Sequence, residues 1–298
     1  LSPASPPDDP DVRVVCVVYR PGEELGRFVA TLREATRRRV ELVVVDNGDD
    51  QTRSRPVSQA AGARLVVNTA NLGYGHAANL GAAGARSPWL VVANPDVEWA
   101  PGSLDALIEV GEQRADAGAL GPLIRDVDGS VYPSARELPS LRIGAGHAVL
   151  ARVWPGNPWT RAYQARQERL GDQRDAGWLS GSCLLLRRAA FEQVGGFDDT
   201  YFMFFEDTDL GERLGRAGWA NVYVPTAEIT HIGGTSWRAT PAPMIRAHHA
   251  SARQYLHRRY HRGYQAPLRW AITTGLAVRE RLEIRAAARA AVSPGRVP

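Results

Sequence analysis

The segment Phe204-Phe205-Glu206-Asp207-Thr208-Asp209-Leu210 places three carboxylates within four residues, directly behind an aromatic run. Like charges packed so closely repel, so the arrangement is costly unless water, a cation or a reacting proton makes use of it. Two adjacent carboxylates push one pKa upward, and a carboxylate raised in this way is suited to take a proton from a sugar hydroxyl. Asp207 is therefore a candidate general base, Glu206 its partner, and Asp209 a candidate contact on the acceptor side. The structural alternative is an acidic first turn on a helix running through Leu210-Gly211-Glu212-Arg213-Leu214, where negative charge suits the dipole.

Other candidates are spread along the chain. Asn94-Pro95-Asp96 follows an apolar strand, where Asp96 could hold a divalent cation, Mg²⁺ or Mn²⁺, bound to a nucleotide diphosphate; such ions use one or two carboxylates plus substrate phosphates. The alternative is an Asn-Pro turn. His231, in Thr230-His231-Ile232-Gly233-Gly234, could complete the metal shell as a neutral imidazole or serve as a hydrogen-bonded loop histidine. Asp46 could accept the N–H of a pyrimidine base or act as the turn residue before Asn47-Gly48. Asn71-Leu72-Gly73-Tyr74-Gly75 opens a helix, with Asn71 a candidate N-cap and Gly73 and Gly75 allowing close backbone approach to a ligand.

These residues need a scaffold. From Val12 to Leu123, short β-branched runs alternate with helical patterns, which predicts βαβ units and a mostly parallel sheet. Strands are expected at Val12 to Val18, Leu42 to Val45, Arg64 to Val67, Leu90 to Ala93 and Ala119 to Leu123. Helices are expected near Glu24 to Thr36, Gly75 to Ala85 and Ser103 to Arg114. Ligands in open α/β sheets sit beyond the carboxyl ends of the strands, which singles out Tyr19, Asp46, Asn71 and Asn94 to Asp96. Arg125 to Asp175, rich in Pro, Gly, Trp and Arg, reads as a surface-forming insertion that could shape an acceptor site. Trp178 to Arg187 and Ala220 to Val224 read as later strands. Beyond Pro243 the pattern turns helical and basic, with Leu268, Ile272, Gly275, Leu276, Arg279 and Leu282 tracing one face. Such a helix suits membrane-surface binding, packing on the main domain or a homodimer contact.

Composition narrows the class. The 298 residues are 44% hydrophobic and 23% charged, ordinary for a soluble globular protein, with a net charge of +4. All 36 basic residues are Arg, which suits phosphorylated ligands or anionic membrane surfaces, though a genome rich in G and C yields the same bias. No feature points to nucleic acid. Cys16 and Cys183 lie in apolar runs and read as buried free thiols of a reducing compartment. Leu1 to Pro10, with four prolines and two aspartates, reads as a disordered tail, neither a signal peptide nor a membrane span. Trp270 to Val278 falls short of the ~20 residues that cross a bilayer.

With these residues in place, the chain resembles the inverting family 2 glycosyltransferases over Val12 to Trp237. The resemblance implies an α/β GT-A fold: a Rossmann-like, mostly parallel central sheet flanked by helices, with a C-terminal helical extension. It implies that Val17-Val18-Tyr19 cradle the base, Asp46 reads the pyrimidine, and Asn71-Leu72-Gly73 with Asn79 form the donor side. Asn94-Pro95-Asp96 stands at the DxD metal motif, with Asn94 replacing its first carboxylate; an amide oxygen still ligates a cation but adds no charge. Glu206-Asp207 matches the acidic pair whose second member is the base, and His231 the metal-binding histidine. The expected division is a disordered tail over 1–11, a transferase domain over 12–243 and a basic amphipathic extension over 244–298. Within the domain, 12–124 would bind the nucleotide sugar and 125–243 would bind acceptor and carry catalysis.

Longer runs are similar to actinobacterial rhamnosyltransferases that act on N-acetylglucosaminyl-diphospho-decaprenol. They include Val92 to Val97, Gly118 to Arg125, Tyr132-Pro133-Ser134-Ala135-Arg136, Trp178-Leu179-Ser180-Gly181-Ser182-Cys183, Tyr201 to Phe204 and Ala266 to Trp270. This resemblance implies transfer of L-rhamnose from dTDP-rhamnose to the 3-hydroxyl of a lipid-linked GlcNAc, at the cytoplasmic face of the plasma membrane. Arg136, Trp178, Ser180 and Gly181 would form the acceptor side, Arg136 facing the lipid diphosphate. The rival readings are a family 2 transferase using another nucleotide sugar, galactofuranosyl or mannosyl, and a non-catalytic nucleotide-sugar-binding protein.

Overall fold

The computed structural model describes residues 9–139, 171–233 and 241–292. Residues 1–8 of the expected tail and 140–170 of the insertion lie outside these ranges, whereas Asp11, expected in the tail, donates its N–H to Arg39 O at 2.9 Å.

Strand β1 (Val12–Val18) is buried along its whole length, as a strand covered on both faces should be. It pairs in parallel with β2 (Val40–Asp46) and β4 (Trp89–Ala93), and β2 pairs in parallel with β3 (Arg64–Val67). Helices α1 (Glu24–Ala35), α2 (Ser54–Ala60), α3 (Tyr74–Ala82) and α4 (Ser103–Gln113) alternate with the strands. In this half two short elements escaped the sequence reading: α2, about two turns of mostly polar residues, and β5 (Val97–Trp99). Both are too brief to show a period.

The sheet order is β3-β2-β1-β4-β11-β6-β12-β5, with β6 spanning Ala117–Arg125, β11 Cys183–Arg187 and β12 Ala220–His231. Strand β11 enters between β4 and β6 and is antiparallel to both. Its start therefore lies beside the carboxyl end of β4, where Asn94 N donates to Ser182 O at 2.9 Å. The last strand, β12, runs parallel to β6 and antiparallel to β5. Its end meets the same place, with Ile232 N donating to Asp96 O at 2.9 Å. A strand over Ala220 to Val224 was expected; it continues seven residues past Val224, with a register shift between Val224 and Glu228.

Cys16 and Cys183 are free and buried on either side of Ala93, as the apolar runs predicted. Strand β7 (Val131–Tyr132) turns back antiparallel to β6, and β8 (Ala135–Arg136) pairs with β10 (Trp178–Leu179) in a separate two-stranded sheet. The short β9 (Arg174–Ala176) pairs with β12. Helix α5 (Arg188–Gln193) follows β11, and α6 (Glu206–Arg216) follows the aromatic run.

The C-terminal helices α7 (Pro241–Arg259) and α8 (Ala266–Val292) pack on each other. The expected apolar stripe on α8 does not form their seam. Polar links hold it instead: His249 to Glu283 at 3.0 Å, Arg253 to Glu280 at 3.1 Å and His257 to Thr273 at 2.8 Å. Ile272 is buried, whereas Leu268 and Leu282 are exposed, because the stripe runs along the flank of the packed face. Among the described residues, no helix is long and apolar enough to cross a membrane.

Candidate active site

A cleft of about 1480 Å³ opens at the carboxyl ends of β1, β2 and β4, lined by residues from both halves of the chain. It brings together Tyr19, Asn71, Asn94, Asp96, Arg136, Trp178, Ser180, Gly181, Glu206, Asp207 and His231.

The acidic pair sits where α6 begins. Phe204 and Phe205 carry φ angles of +67° and +66°, a left-handed conformation rare outside glycine, and so aim the first turn of α6 at the cleft. Asp207 Oδ2 accepts from Gly181 N at 2.9 Å, and Oδ1 from Thr208 N at 2.7 Å and Thr208 Oγ1 at 3.3 Å. Gly181 is itself fixed by Tyr74, whose hydroxyl donates to Gly181 O at 2.6 Å. Burial raises the pKa of Asp207, and these donors, with the charge of Arg136, pull it back. Glu206 is only 6% exposed, and its Oε2 has no hydrogen-bond partner. Burial first, then the neighbouring Asp207, push its carboxyl up to about 8. The division of labour is thus clear: Glu206 keeps its proton near neutrality, while Asp207 has the donors that stabilise an anion.

Asn94, Asp96 and His231 converge as the sequence suggested. Asp96 Oδ1 is buried without a hydrogen bond and lies 3.1 Å from His231 Nε2. Asn94 Nδ2 lies 3.5 Å from the same ring nitrogen. An unsatisfied carboxylate oxygen facing an imidazole nitrogen fits a divalent cation. Among the described residues, however, no group of three or more His, Cys, Asp or Glu could hold a metal by itself. A cation here would take its remaining ligands from a substrate diphosphate and water.

On the opposite wall, the β8–β10 pairing sets Arg136 beside Trp178. The Arg136 guanidinium lies over Tyr132 at 5.2 Å and over Trp178 at 5.4 Å, and it has no carboxylate in ion-pair range among the described residues. Trp178 is half-buried, its indole donating to Glu137 O, so it walls the cleft and is not a core residue.

A glycosyl transferase family 2 sequence model matches residues 13–195, more than half of the chain. The chain belongs to glycosyltransferase family 2. This transferase is 52% identical, over 93% of its length and 94% of the relative's, to the N-acetylglucosaminyl-diphospho-decaprenol L-rhamnosyltransferase of Mycobacterium tuberculosis. It is 27% identical to rhamnosyltransferase WbbL of Escherichia coli, over 74% of this chain and 83% of that one. Among solved structures, it is similar in fold to the mannosyltransferase PcManGT from Pyrobaculum calidifontis in complex with GDP-Man and Mn²⁺. That likeness has a TM-score of 0.59 at 17% identity, covering 100% of this chain and 79% of that one. GalNAc-T7 with UDP, GalNAc and Mn²⁺ gives a TM-score of 0.55 at 15% identity, covering 76% of this chain and 45% of that one. The fold of the transferase is GT-A, as its sequence led one to expect.

Four expected site residues in the transferase point elsewhere. Asp46 is fully buried, its carboxylate accepting from Gly48 N at 2.7 Å and from the Ser54 hydroxyl, so it closes a turn and does not face a base. Its neighbour Asn47 lines the cleft instead, donating to Gly73 O at 3.0 Å. Asn79 faces away from the cleft and grips the Phe197 backbone, donating to Phe197 O at 2.8 Å and accepting from Phe197 N at 2.9 Å. Asp209 turns back to Arg213, 2.6 Å away, because two residues along a helix is more than half a turn from Asp207. Gly73 approaches the Phe202 backbone and no open space. It also stands as the N-cap of α3, a place expected for Asn71, whose side chain accepts from Gly73 N at 3.0 Å one step earlier.

The raised Glu206 pKa carries a pH signature. Between its ordinary value near 4.5 and about 8, the folded chain holds a proton that the unfolded chain has lost. Stability therefore falls as pH rises through this window. Glu206→Gln should flatten the fall and raise stability at pH 8, by on the order of a few kcal/mol, with little change at pH 4. Melting temperatures of both proteins across that range test this; parallel profiles would show that Glu206 titrates normally.

Proposed function

We propose that the protein transfers L-rhamnose from dTDP-β-L-rhamnose to the 3-hydroxyl of GlcNAc in N-acetylglucosaminyl-diphospho-decaprenol, with inversion to an α-rhamnoside. The observation that carries this reading is the 52% identity, sustained over 93% of the chain, to the mycobacterial transferase of that name.

In this mechanism Asp207 takes the proton of the acceptor hydroxyl as its oxygen forms the new bond to the anomeric carbon. The bond from that carbon to the nucleotide diphosphate breaks at the same time, and dTDP leaves with the electron pair. Gly181 N–H and Thr208 hold the Asp207 carboxylate in register for the proton. Glu206, neutral, adds no second negative charge beside it. Asn94, Asp96 and His231 would hold a divalent cation, Mg²⁺ or Mn²⁺, with the donor diphosphate. Such an ion, when bound, neutralises charge on the leaving group. Tyr19, Asn47 and Asn71 line the donor side, and Arg136, Trp178, Ser180 and Gly181 the acceptor side.

The acceptor's lipid would place the enzyme on the cytoplasmic surface of the plasma membrane. Helix α8 suits that surface, since Trp270, 72% exposed, Val278 and Leu282 share its outer side with Arg281, Arg285 and Arg289.

The test is transfer from a panel of nucleotide sugars to a short-chain GlcNAc-diphospho-prenol, with Mg²⁺, with Mn²⁺ and with chelator. Product only from dTDP-rhamnose, lost on chelation, is the expected result. Product from another sugar would overturn the donor assignment, and turnover in chelator would overturn the role given to Asp96 and His231.

A further inference from the structure

The catalytic cleft does not end at Asp207. It continues without a break along the aromatic loop and the first C-terminal helix, lined there by Phe202, Met203, Phe205, Met244, His248 and Leu256. Met244, His248 and Leu256 recur at multiples of four along α7, one side of the helix, over a length of about 18 Å. Helix α7 contains no Asp or Glu, so it sets no carboxylate along this lane. Phe202 is 44% exposed at its edge, and Arg279 of α8 completes the lining. The lane is also anchored to the catalytic loop. The His248 ring lies 5.5 Å from both Phe204 and Phe205, and Ser251 Oγ donates to Met203 O at 2.8 Å.

An apolar lane joined to a polar reaction site matches an amphiphilic substrate. We infer that this lane binds the first isoprene units of the acceptor's hydrocarbon chain while the sugar hydroxyl sits at Asp207, an inference that rests on the function proposed above. The occupant follows from continuity. The reacting hydroxyl and the hydrocarbon belong to one molecule, and the half-buried apolar walls start where the catalytic residues stop. The C-terminal helices are then part of the acceptor site as well as a surface for the membrane.

The test uses the full-length enzyme and two acceptors with the same GlcNAc-diphosphate head, one with a single isoprene unit and one with four, both below their micellar concentrations. The wild-type enzyme should show a kcat/KM about tenfold or more higher for the longer acceptor, as burial of several methylene groups implies. Met244→Ser and Leu256→Ser should each shrink that ratio, through KM for the longer acceptor. Equal kcat/KM for the two acceptors in the wild-type enzyme would overturn the lane and leave the proposed function standing. So would a ratio unchanged in folded variants. If a variant fails to fold, the wild-type ratio still decides. Transfer to neither acceptor would defeat the proposed function itself, and the lane with it.

Discussion

Asp207→Asn should abolish sugar transfer while leaving nucleotide-sugar affinity near the wild-type value. The carboxylate of Asp207 is held by backbone donors on both oxygens, which favour its anionic form against the burial that raises its pKa. An amide cannot take the hydroxyl proton, and loss of a positioned general base lowers rates by ~10²–10⁴-fold. The substitution also turns one hydrogen bond into a clash of donors, since the amide presents an NH₂ to either Gly181 N or Thr208 N. That effect stays on the acceptor side, away from Tyr19, Asn47 and Asn71. Single-turnover transfer and calorimetric titration with the donor separate the two effects. A rate within tenfold of wild type would remove Asp207 from the mechanism.

Gly73→Ala should be the most damaging change outside the acidic pair. Gly73 has φ +89° and ψ 169°, a region essentially confined to glycine, where another residue costs about 1–3 kcal/mol. Its added Cβ would lie 2.2 Å from Phe202 O, a backbone atom that cannot swing aside. Phe202 O is also the acceptor for Tyr74 N at 3.0 Å, so the methyl would part the donor-side turn from the loop leading to Asp207. Tyr74 would lose its place against Gly181 O, and Gly181 its place against Asp207. The expected outcome is a melting temperature lowered by several degrees together with transfer reduced at least tenfold, by the sum of strain and misalignment. A variant with wild-type stability and turnover would show that this contact is slack.

The two substitutions mark what could and could not be read from residues in order. The strands of the first half were legible because β1, β2 and β4 are apolar runs buried on both faces, and burial of that kind is written in composition. Glu206, Asp207 and His231 were legible as candidates because polar residues interrupt or end such runs, whereas Gly181 came from the family resemblance, as an acceptor contact, and its hold on Asp207 was not foreseen. Asp46 misled for a physical reason. In Asp46-Asn47-Gly48 either polar residue can close the turn or face outward, and the choice falls to Ser54, eight positions later, which binds the Asp46 carboxylate. Asn79 misled similarly, since its partner Phe197 lies 118 residues away. Which carboxylate of the pair keeps its proton depends on Gly181 N reaching Asp207 and nothing reaching Glu206 Oε2, facts of tertiary packing. The lining supplied by α7 was invisible for the same cause. Its row of Met244, His248 and Leu256 looks unremarkable until the strained turn at Phe204 and Phe205 is laid against it.

The antiparallel β11 between β4 and β6 has a bearing on how the chain comes to be folded at all. Synthesis delivers β1 to β4 first, and these can pair among themselves, but β4 keeps a bare row of backbone N–H and C=O groups until residues 183–187 arrive. Strand β6, made earlier, must wait for the same segment to join it to the sheet through β11. An open apolar edge of that kind is a template for unwanted pairing between nascent chains. The middle of the sheet thus stays open until that segment is made, β12 joining β6 later still, and the segment that closes the gap begins two residues after Gly181. Closing that gap also sets the Gly181 N–H where it meets Asp207, so a chain with the middle of its sheet still open has no positioned base.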